Sequence, residues 1–299
     1  MKKQTYTLKV VSPMFSNGAD PKDKETLEIR AASVRGQLRY WLRAIIGTKT
    51  TNLEELWKEE SAIFGTTELG SKVAVRVYPM RPDEGHIEKS PLLPHKRDQR
   101  ERSPAPAIQP GWGVTLELVT RHGDIPERAL QALHIWALLG GLGKRSRRMY
   151  GAFLLSRSNA PSYDSPEALM NAIKKALQDA NCNVNTSPEV PRFPTLHPKH
   201  AWIIVGKRGY EDYEEAIISL FSDLLRNDKF RPKQDSFGSA RPRRSSPLIA
   251  QLRKIGDRYY PVLTVLRSEP DQQINWEVVR DFMNAAARHF NAEKVWGGW

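Results

Sequence analysis

Hydrophobic positions along this chain switch between a two-residue period and a three-to-four-residue period, the mark of alternating strands and helices. In 5–11, TYTLKVV, Tyr6, Leu8 and Val10 alternate with Thr7 and Lys9, which predicts a strand. A polar loop with the turn pairs Asn17-Gly18 and Asp20-Pro21 follows. Ser33 stands at an expected N-cap, and SVRGQLRYWLRAII places Val34, Leu38, Trp41 and Ile45 on one helical face before Gly47. A second helix is predicted from about Leu53 to Phe64, and 73–78 and 114–120 alternate as strands. Between those strands, 79–110 carries seven prolines and the run HKRDQRER, which predicts a mobile insertion. A helix with Pro126 in its first turn runs to Leu139, then the glycine-rich GGLGKRSRRMYG leads into an apolar strand at 152–156. Strand, helix, strand, strand, helix, strand is the split βαβ order.

The second half repeats the order more loosely. Ser165 to Asp179 reads as an amphipathic connecting helix, and 181–199 as a linker. A strand at 201–206, a helix from Tyr213 to Arg226, a hairpin around Gly256-Asp257 and a helix from Trp276 to Phe290 follow. The tail VWGGW leaves the last strand missing or shortened. The expected fold class is therefore α+β: two tandem ferredoxin-like (RRM-like, split βαβ) domains with antiparallel sheets. The first covers 1–158, and the second, degenerate one covers 159–299. A length of 299 residues suits two domains of roughly 150 each.

Charge changes the picture. Lys and Arg number 46 against 34 Asp and Glu, a formal net charge of +12. An excess of this size favours a polyanion partner, because each neutralised phosphate releases condensed counterions. A single cysteine, Cys182, excludes an internal disulfide and a Cys-rich zinc site and suits a reducing cytoplasm. No apolar run is long enough for a membrane span, and MKKQTYTLKV lacks a signal peptide's apolar region.

Two elements concentrate the cations. On the first helix, Arg35, Arg39 and Arg43 step round the axis by about 40° each, forming a stripe beside the apolar face. No acidic residue lies between Ile29 and Leu53, so the stripe has no partner on its own helix. Guanidinium suits phosphate because its planar fork bonds two oxygens while staying charged. Equally weighted is a solvated face paired with carboxylates from elsewhere in the fold. The second element is Gly140 to Gly151, where Lys144, Arg145, Arg147 and Arg148 crowd among Gly140, Gly141, Gly143 and Gly151. Crowded cations among glycines favour a bound anion over a bare solvated turn. A phosphate-binding Walker loop would need Gly at Leu138 and Ser or Thr at Arg145, and the dinucleotide motif would need Gly at Ser146. Both motifs run from strand into helix, the reverse of this loop.

A third basic stretch, Arg241, Arg243 and Arg244 in FGSARPRRSSPL, precedes a predicted strand. Catalytic patterns are sparse. The seven histidines form no metal-ligand spacing, Cys182 has no nearby His, and Asp20 and Asp23 sit where turn formers belong. No catalytic residue, cofactor or metal is expected.

SPMFSNGA after the first strand, EIRAASVRGQLRYWLRA and GGLGKRSRRMYGAF together resemble the RAMP superfamily of CRISPR proteins, and within it the head subunits of type III-B Cmr effector complexes. FG at 64–65 and RRSSPL at 243–248 fit as well. The resemblance implies a non-catalytic RNA-binding subunit that helps capture and seat target RNA near the 3′ end of the guide RNA, in contact with other Cmr subunits. By resemblance the RNA contacts are Arg35, Arg39 and Arg43, with Tyr40 or Trp41 stacking on bases, and Gly141, Gly143, Lys144, Arg145, Arg147 and Arg148 from the loop. Arg243 and Arg244 complete the set. Single-stranded RNA tracked through its phosphates is the expected ligand. The alternative is a metal-independent endoribonuclease processing CRISPR repeat RNA, which would want His122 or His134 beside Arg39 or Lys144.

Overall fold

β1 (Lys2–Val10) lies at the middle of a four-stranded antiparallel sheet, with Tyr6 opposite Leu116 and Leu8 opposite Val114 of β5 (Gly113–Thr120). β2 (Ala74–Tyr78) adds outside β5, and β6 (Phe153–Ser156) adds on the other side of β1, giving the order β2-β5-β1-β6. Residues 1–20, 22–23, 25–94, 96, 101–183, 191–268 and 274–299 of this computed structural model are described.

Alternation along β1 sends Tyr6, Leu8 and Val10 into the core and leaves Thr7 and Lys9 outside. Over that core lie α1 (Ala31–Ile46) and α3 (Glu127–Leu139), through Val34, Leu38 and Trp41 on one and Leu133 and Trp136 on the other. α1 begins two residues before Ser33, with Arg30 at the N-cap and no side-chain cap bond. α2 (Leu53–Phe64) packs on α1 and is capped by Asn52.

The 79–110 segment differs from the mobile insertion expected. Its described part contains a hairpin, β3 (Ile87–Pro91) with β4 (Pro104–Ile108), whose register runs from Ile87 opposite Ile108 to Pro91 opposite Pro104. The Tyr150 hydroxyl donates to the Pro91 carbonyl at 2.5 Å, and Met14 and Ile108 form a backbone bridge. Pro91, Pro104 and Pro106 sit in this outlying two-stranded ribbon, where the missing N–H groups cost no central ladder bond. Most of HKRDQRER (95 and 97–100) lies outside the described residues.

In the second half, β7 (Ala201–Gly206) is buried throughout and pairs with β11 (Arg258–Leu266) and β12 (Ala292–Gly297), while β10 (Leu248–Ile255) pairs beyond β11. The order β10-β11-β7-β12 repeats that of the first sheet. Contrary to the shortened tail expected, β12 is a six-residue strand. Its register shift between Lys294 and Trp296 interrupts the alternation in the sequence.

This second sheet is covered on both faces. Ala201, Ile203 and Val205 join the core of the first half, together with Leu169, Ile173 and Leu177 of α4 (Pro166–Asp179). Trp202 and Ile204 face the other way, toward α5 (Tyr213–Ile218) and α6 (Trp276–His289). The helix predicted to Arg226 holds α-helical pairing only to Ile218, then widens into a π-helical turn over Ser219–Leu225. Short β8 (Ser239–Ala240) and β9 (Arg243–Arg244) pair after it.

Candidate nucleic-acid interface

The glycine-rich loop joins the two halves. Met149 N–H donates to the Ala250 carbonyl at 2.8 Å, Ala250 N–H donates to the Arg147 carbonyl at 3.3 Å, and Arg148 bridges Ala250 in parallel sense. The loop thus covers the outer edge of β10, which would otherwise present unpaired backbone groups. Gly143 has φ +87°, and a Cβ there would lie 2.6 Å from the Phe15 carbonyl oxygen. That close approach lets Lys144 N–H donate to Phe15 at 2.8 Å, tying the loop to the segment after β1.

Arg145 follows with φ +62°, left-handed without being glycine. Such backbone costs about 1 kcal/mol and persists where the surroundings fix it. Here the Arg145 carbonyl accepts from Arg148 N–H at 2.8 Å. The turn leaves Lys144 and Arg145 exposed beside the partly buried Arg147 and Arg148.

These residues form one wall of an open groove of about 930 Å³. The opposite wall belongs to the second half: Phe221, Leu225 and Arg226 around the π-helical turn, Gln234 and Phe237, and Arg243 to Ser246. Widening of the helix at 219–225 presents Phe221 and Leu225 to the groove and ends at Arg226. Seven lining residues carry cations (Lys144, Arg145, Arg147, Arg148, Arg226, Arg243 and Arg244), and no Asp or Glu is among the described lining residues. A second chamber of about 350 Å³ opens from it, sharing Arg147, Arg243 and Arg244 and adding Tyr40 from α1.

Neutral oxygens hold Arg148 among the described residues. Its Nη1 donates to the Arg147 carbonyl at 2.8 Å and Ser246 Oγ at 3.2 Å, and its Nη2 donates to the Phe237 carbonyl at 2.8 Å. Burial of the guanidinium, and then the charges of Arg145 and Arg147, pull its pKa down to about 9. Arg147 donates to the Ser246 carbonyl at 2.6 Å and lies over the Tyr40 ring, 5.3 Å from its centroid.

The structure separates the residues singled out in the sequence into two groups. Gly143, Lys144, Arg145, Arg147, Arg148, Arg243 and Arg244 line the groove, and Tyr40 lines its side chamber. Arg39 and Arg43 instead form ion pairs with Glu60 of α2, the Arg43 pair at 3.4 Å. Glu60 is 3% exposed, so the stripe's partner comes from the next helix. Arg35 is exposed on α1 but is not among the groove's lining residues. Trp41 is 1% exposed and packs in the core, which removes it as a base-stacking surface. Gly141 is also buried, and a Cβ there would meet the Gln251 side chain at 2.4 Å, so it serves close packing.

Sequence reasoning missed Arg226, Gln234 and Glu60, which have no local pattern, and Arg253 of β10. Arg253 is 0% exposed and donates to the carbonyls of Leu138 at 3.0 Å and Gly140 at 2.8 Å, closing the end of α3. Burial pulls its pKa down to about 10. Its sequence signal was a charge next to Leu252 inside a mostly apolar strand.

Chemistry-bearing groups elsewhere serve local structure. Asp20 accepts from Lys22 N–H at 2.8 Å, and Asp23 accepts from Glu25 and Thr26 N–H, each at 2.9 Å. These bonds hold the Asp23 carboxyl below its usual range, the Thr26 hydroxyl foremost. His134 on α3 and His122 on the turn after β5 do not line the groove. Among the described residues, no cluster of three or more His, Cys, Asp or Glu could hold a metal.

A family model described as the RAMP superfamily matches residues 7–153. Residues 7–153 belong to the RAMP superfamily. The RAMP stretch runs from β1 through the glycine-rich loop to the first residue of β6. A Pyrococcus furiosus protein, CRISPR system Cmr subunit Cmr1-1, is 24% identical over 328 aligned positions, covering 92% of this chain and 93% of the relative. Cmr1-2 of the same organism is 36% identical over 83 positions, covering 27% of this chain and 43% of the relative.

Among solved structures, apo Cmr1 from Pyrococcus furiosus superposes with a TM-score of 0.70 at 20% identity, covering 100% of both chains. A chain of the type III-B Cmr-beta complex bound to cognate target RNA superposes with a TM-score of 0.60 at 12% identity, covering 96% of this chain and 99% of that one. The fold shared with these structures therefore extends beyond the RAMP stretch. No helix among the described residues is long and apolar enough to cross a membrane.

Proposed function

We propose that this chain is a non-catalytic RNA-binding subunit of a type III-B CRISPR RNA-guided complex. It holds single-stranded RNA in the groove between the glycine-rich loop and the second half. The ligand is target RNA together with the 3′ region of the guide RNA, and the neighbours are other Cmr subunits in the cytoplasm. The likeness to the Cmr1 relatives supports the assembly, and the groove supports the ligand.

One observation carries the reading: seven cations from both halves converge on one groove, with no carboxylate among its described lining residues. Such a surface is costly to maintain against self-repulsion and suits a phosphodiester backbone, which needs no base-specific contacts from the protein. Sequence would then be read by guide–target pairing. The repeated order β6-β1-β5-β2 and β12-β7-β11-β10 supports two tandem ferredoxin-like domains, at 1–158 and 159–299. They share part of their core.

The test is a gel-shift titration of purified full-length protein against labelled single-stranded RNA, with the same samples run on a denaturing gel. Retarded, intact RNA is the expected result. Cleaved RNA in metal-free buffer would instead establish the endoribonuclease. Absence of a shift at low salt would remove the groove as an RNA site.

A further inference from the structure

α2 carries an exposed apolar strip away from the groove. Leu53 and Trp57 stand one turn apart, so they share one strip of the helix surface, and they are 51% and 59% exposed. The helix packs through Leu56, Ile63 and Phe64, so the fold itself does not use the strip. No residue of α2 is among the described lining residues of the groove or its side chamber. Charge on this helix also runs against the rest of the chain. Glu54, Glu55 and Glu59 are exposed beside Lys58 alone, in a protein of formal net charge +12. Glu55 accepts from the Thr50 hydroxyl at 2.6 Å, whereas Glu54 and Glu59 have no ion-pair partner among the described residues. On the adjoining α1, Arg39 and Arg43 are engaged by Glu60. Free carboxylates around an indole repel a polyanion and attract a protein surface that bears Lys and Arg.

Resting on the reading above, we propose that the Leu53–Trp57 strip docks a basic neighbouring protein subunit of the same complex. That neighbour offers an apolar pocket to the Trp57 indole and Lys or Arg to Glu54 and Glu59. Its basic character follows from the shared ligand, since every subunit on one RNA strand needs cations for the phosphates. Two such subunits repel each other unless one presents opposite charge where they meet. α2 supplies that charge. Trp57 is the anchor, because a large rigid ring entering a dry pocket contributes more than the polar contacts around it.

For the test, the other Cmr subunits from the same source are co-expressed with guide RNA and purified without this chain. Full-length wild type, Trp57→Ala, Trp57→Phe and Glu54→Lys/Glu59→Lys are titrated onto that assembly, and native mass spectrometry reads the composition. Circular dichroism melting checks each fold, and a gel shift on single-stranded RNA is run beside each titration. Trp57→Ala weakens docking about tenfold and leaves the RNA shift at the wild-type value. Trp57→Phe keeps most of the affinity, since it keeps a ring. Glu54→Lys/Glu59→Lys also docks more weakly, and its deficit shrinks as salt is raised. Wild-type docking by a folded Trp57→Ala protein overturns the proposal while leaving the assembly intact. Weaker RNA binding with unchanged docking overturns it too, making the strip a stacking surface for RNA. Self-association of wild type alone that Trp57→Ala abolishes gives the strip to a second copy and overturns the basic neighbour. Failure of wild type to join the assembly overturns both the docking and the reading on which it rests.

Discussion

Arg253 donates from Nε to the Leu138 carbonyl at 3.0 Å, so a strand of the second half closes the end of a helix in the first. Its other nitrogens reach Gly140 at 2.8 Å and Leu252 at 2.6 Å. The side chain is therefore a buried cation satisfied wholly by carbonyls, placed where the α3 dipole is negative. It fixes the first residues of the glycine-rich loop against β10.

Arg253→Met removes those bonds while roughly keeping volume. Carbonyls left unpaired in the core should lower stability by about 3 kcal/mol, measured as a fall in the urea midpoint. Arg253→Lys should recover little, because one ammonium cannot present the same planar fork. A midpoint within error of wild type would mean that the joint does not depend on this residue.

Glu60→Gln strips the countercharge from Arg39 and Arg43. Stability should fall by about 2 kcal/mol, discounted from a fully buried pair because both arginines reach solvent. RNA affinity should hold or rise slightly, since the variant adds a net positive charge. A large loss of RNA binding would place the helix stripe in the site after all.

Acid should weaken the fold through His134. Burial lowers its pKa from the ordinary 6.5, so below that pH the unfolded chain takes up a proton that the folded one refuses. Stability is therefore unaffected well above the ordinary value and falls as pH drops below it. His134→Leu should flatten the dependence of the urea midpoint between about pH 7 and pH 5. An unaltered profile would assign the acid sensitivity to other groups.

Cys182 is buried, with its thiol pushed up to about 12 by burial. An aromatic disulfide reagent at pH 8 should leave the native protein unlabelled and label it stoichiometrically in denaturant. Fast labelling of native protein would indicate local opening behind α4.

Periodicity carried most of the elements because their cores are local. Tyr6, Leu8 and Val10 on β1, and Val34, Leu38 and Trp41 on α1, reveal their buried face by spacing alone. The same wheel placed Trp41 on the core side, where it lies. What spacing could not reveal was pairing across distance. Arg39 and Arg43 look unpartnered until α2 folds back and delivers Glu60. Arg226 acquires significance only because the helix widens at 219–225 and the glycine-rich loop docks on the facing strand. Of the two arginine clusters, the helix stripe, evenly balanced as sequence, is drawn into ion pairs with Glu60, and the loop cluster, already favoured for an anion, lines an open groove.

Salt dependence of RNA binding compares those clusters most directly. Log affinity for a short single-stranded RNA would be measured against log salt for wild type, for Lys144→Ala/Arg145→Ala/Arg226→Ala, and for Arg39→Ala/Arg43→Ala. The groove variant should bind more weakly and flatten the slope by about 2 units, as three lost phosphate contacts require. The helix variant should keep the wild-type slope. A flattened slope in the helix variant beside an unchanged groove variant would contradict the groove and return the RNA to the face of α1.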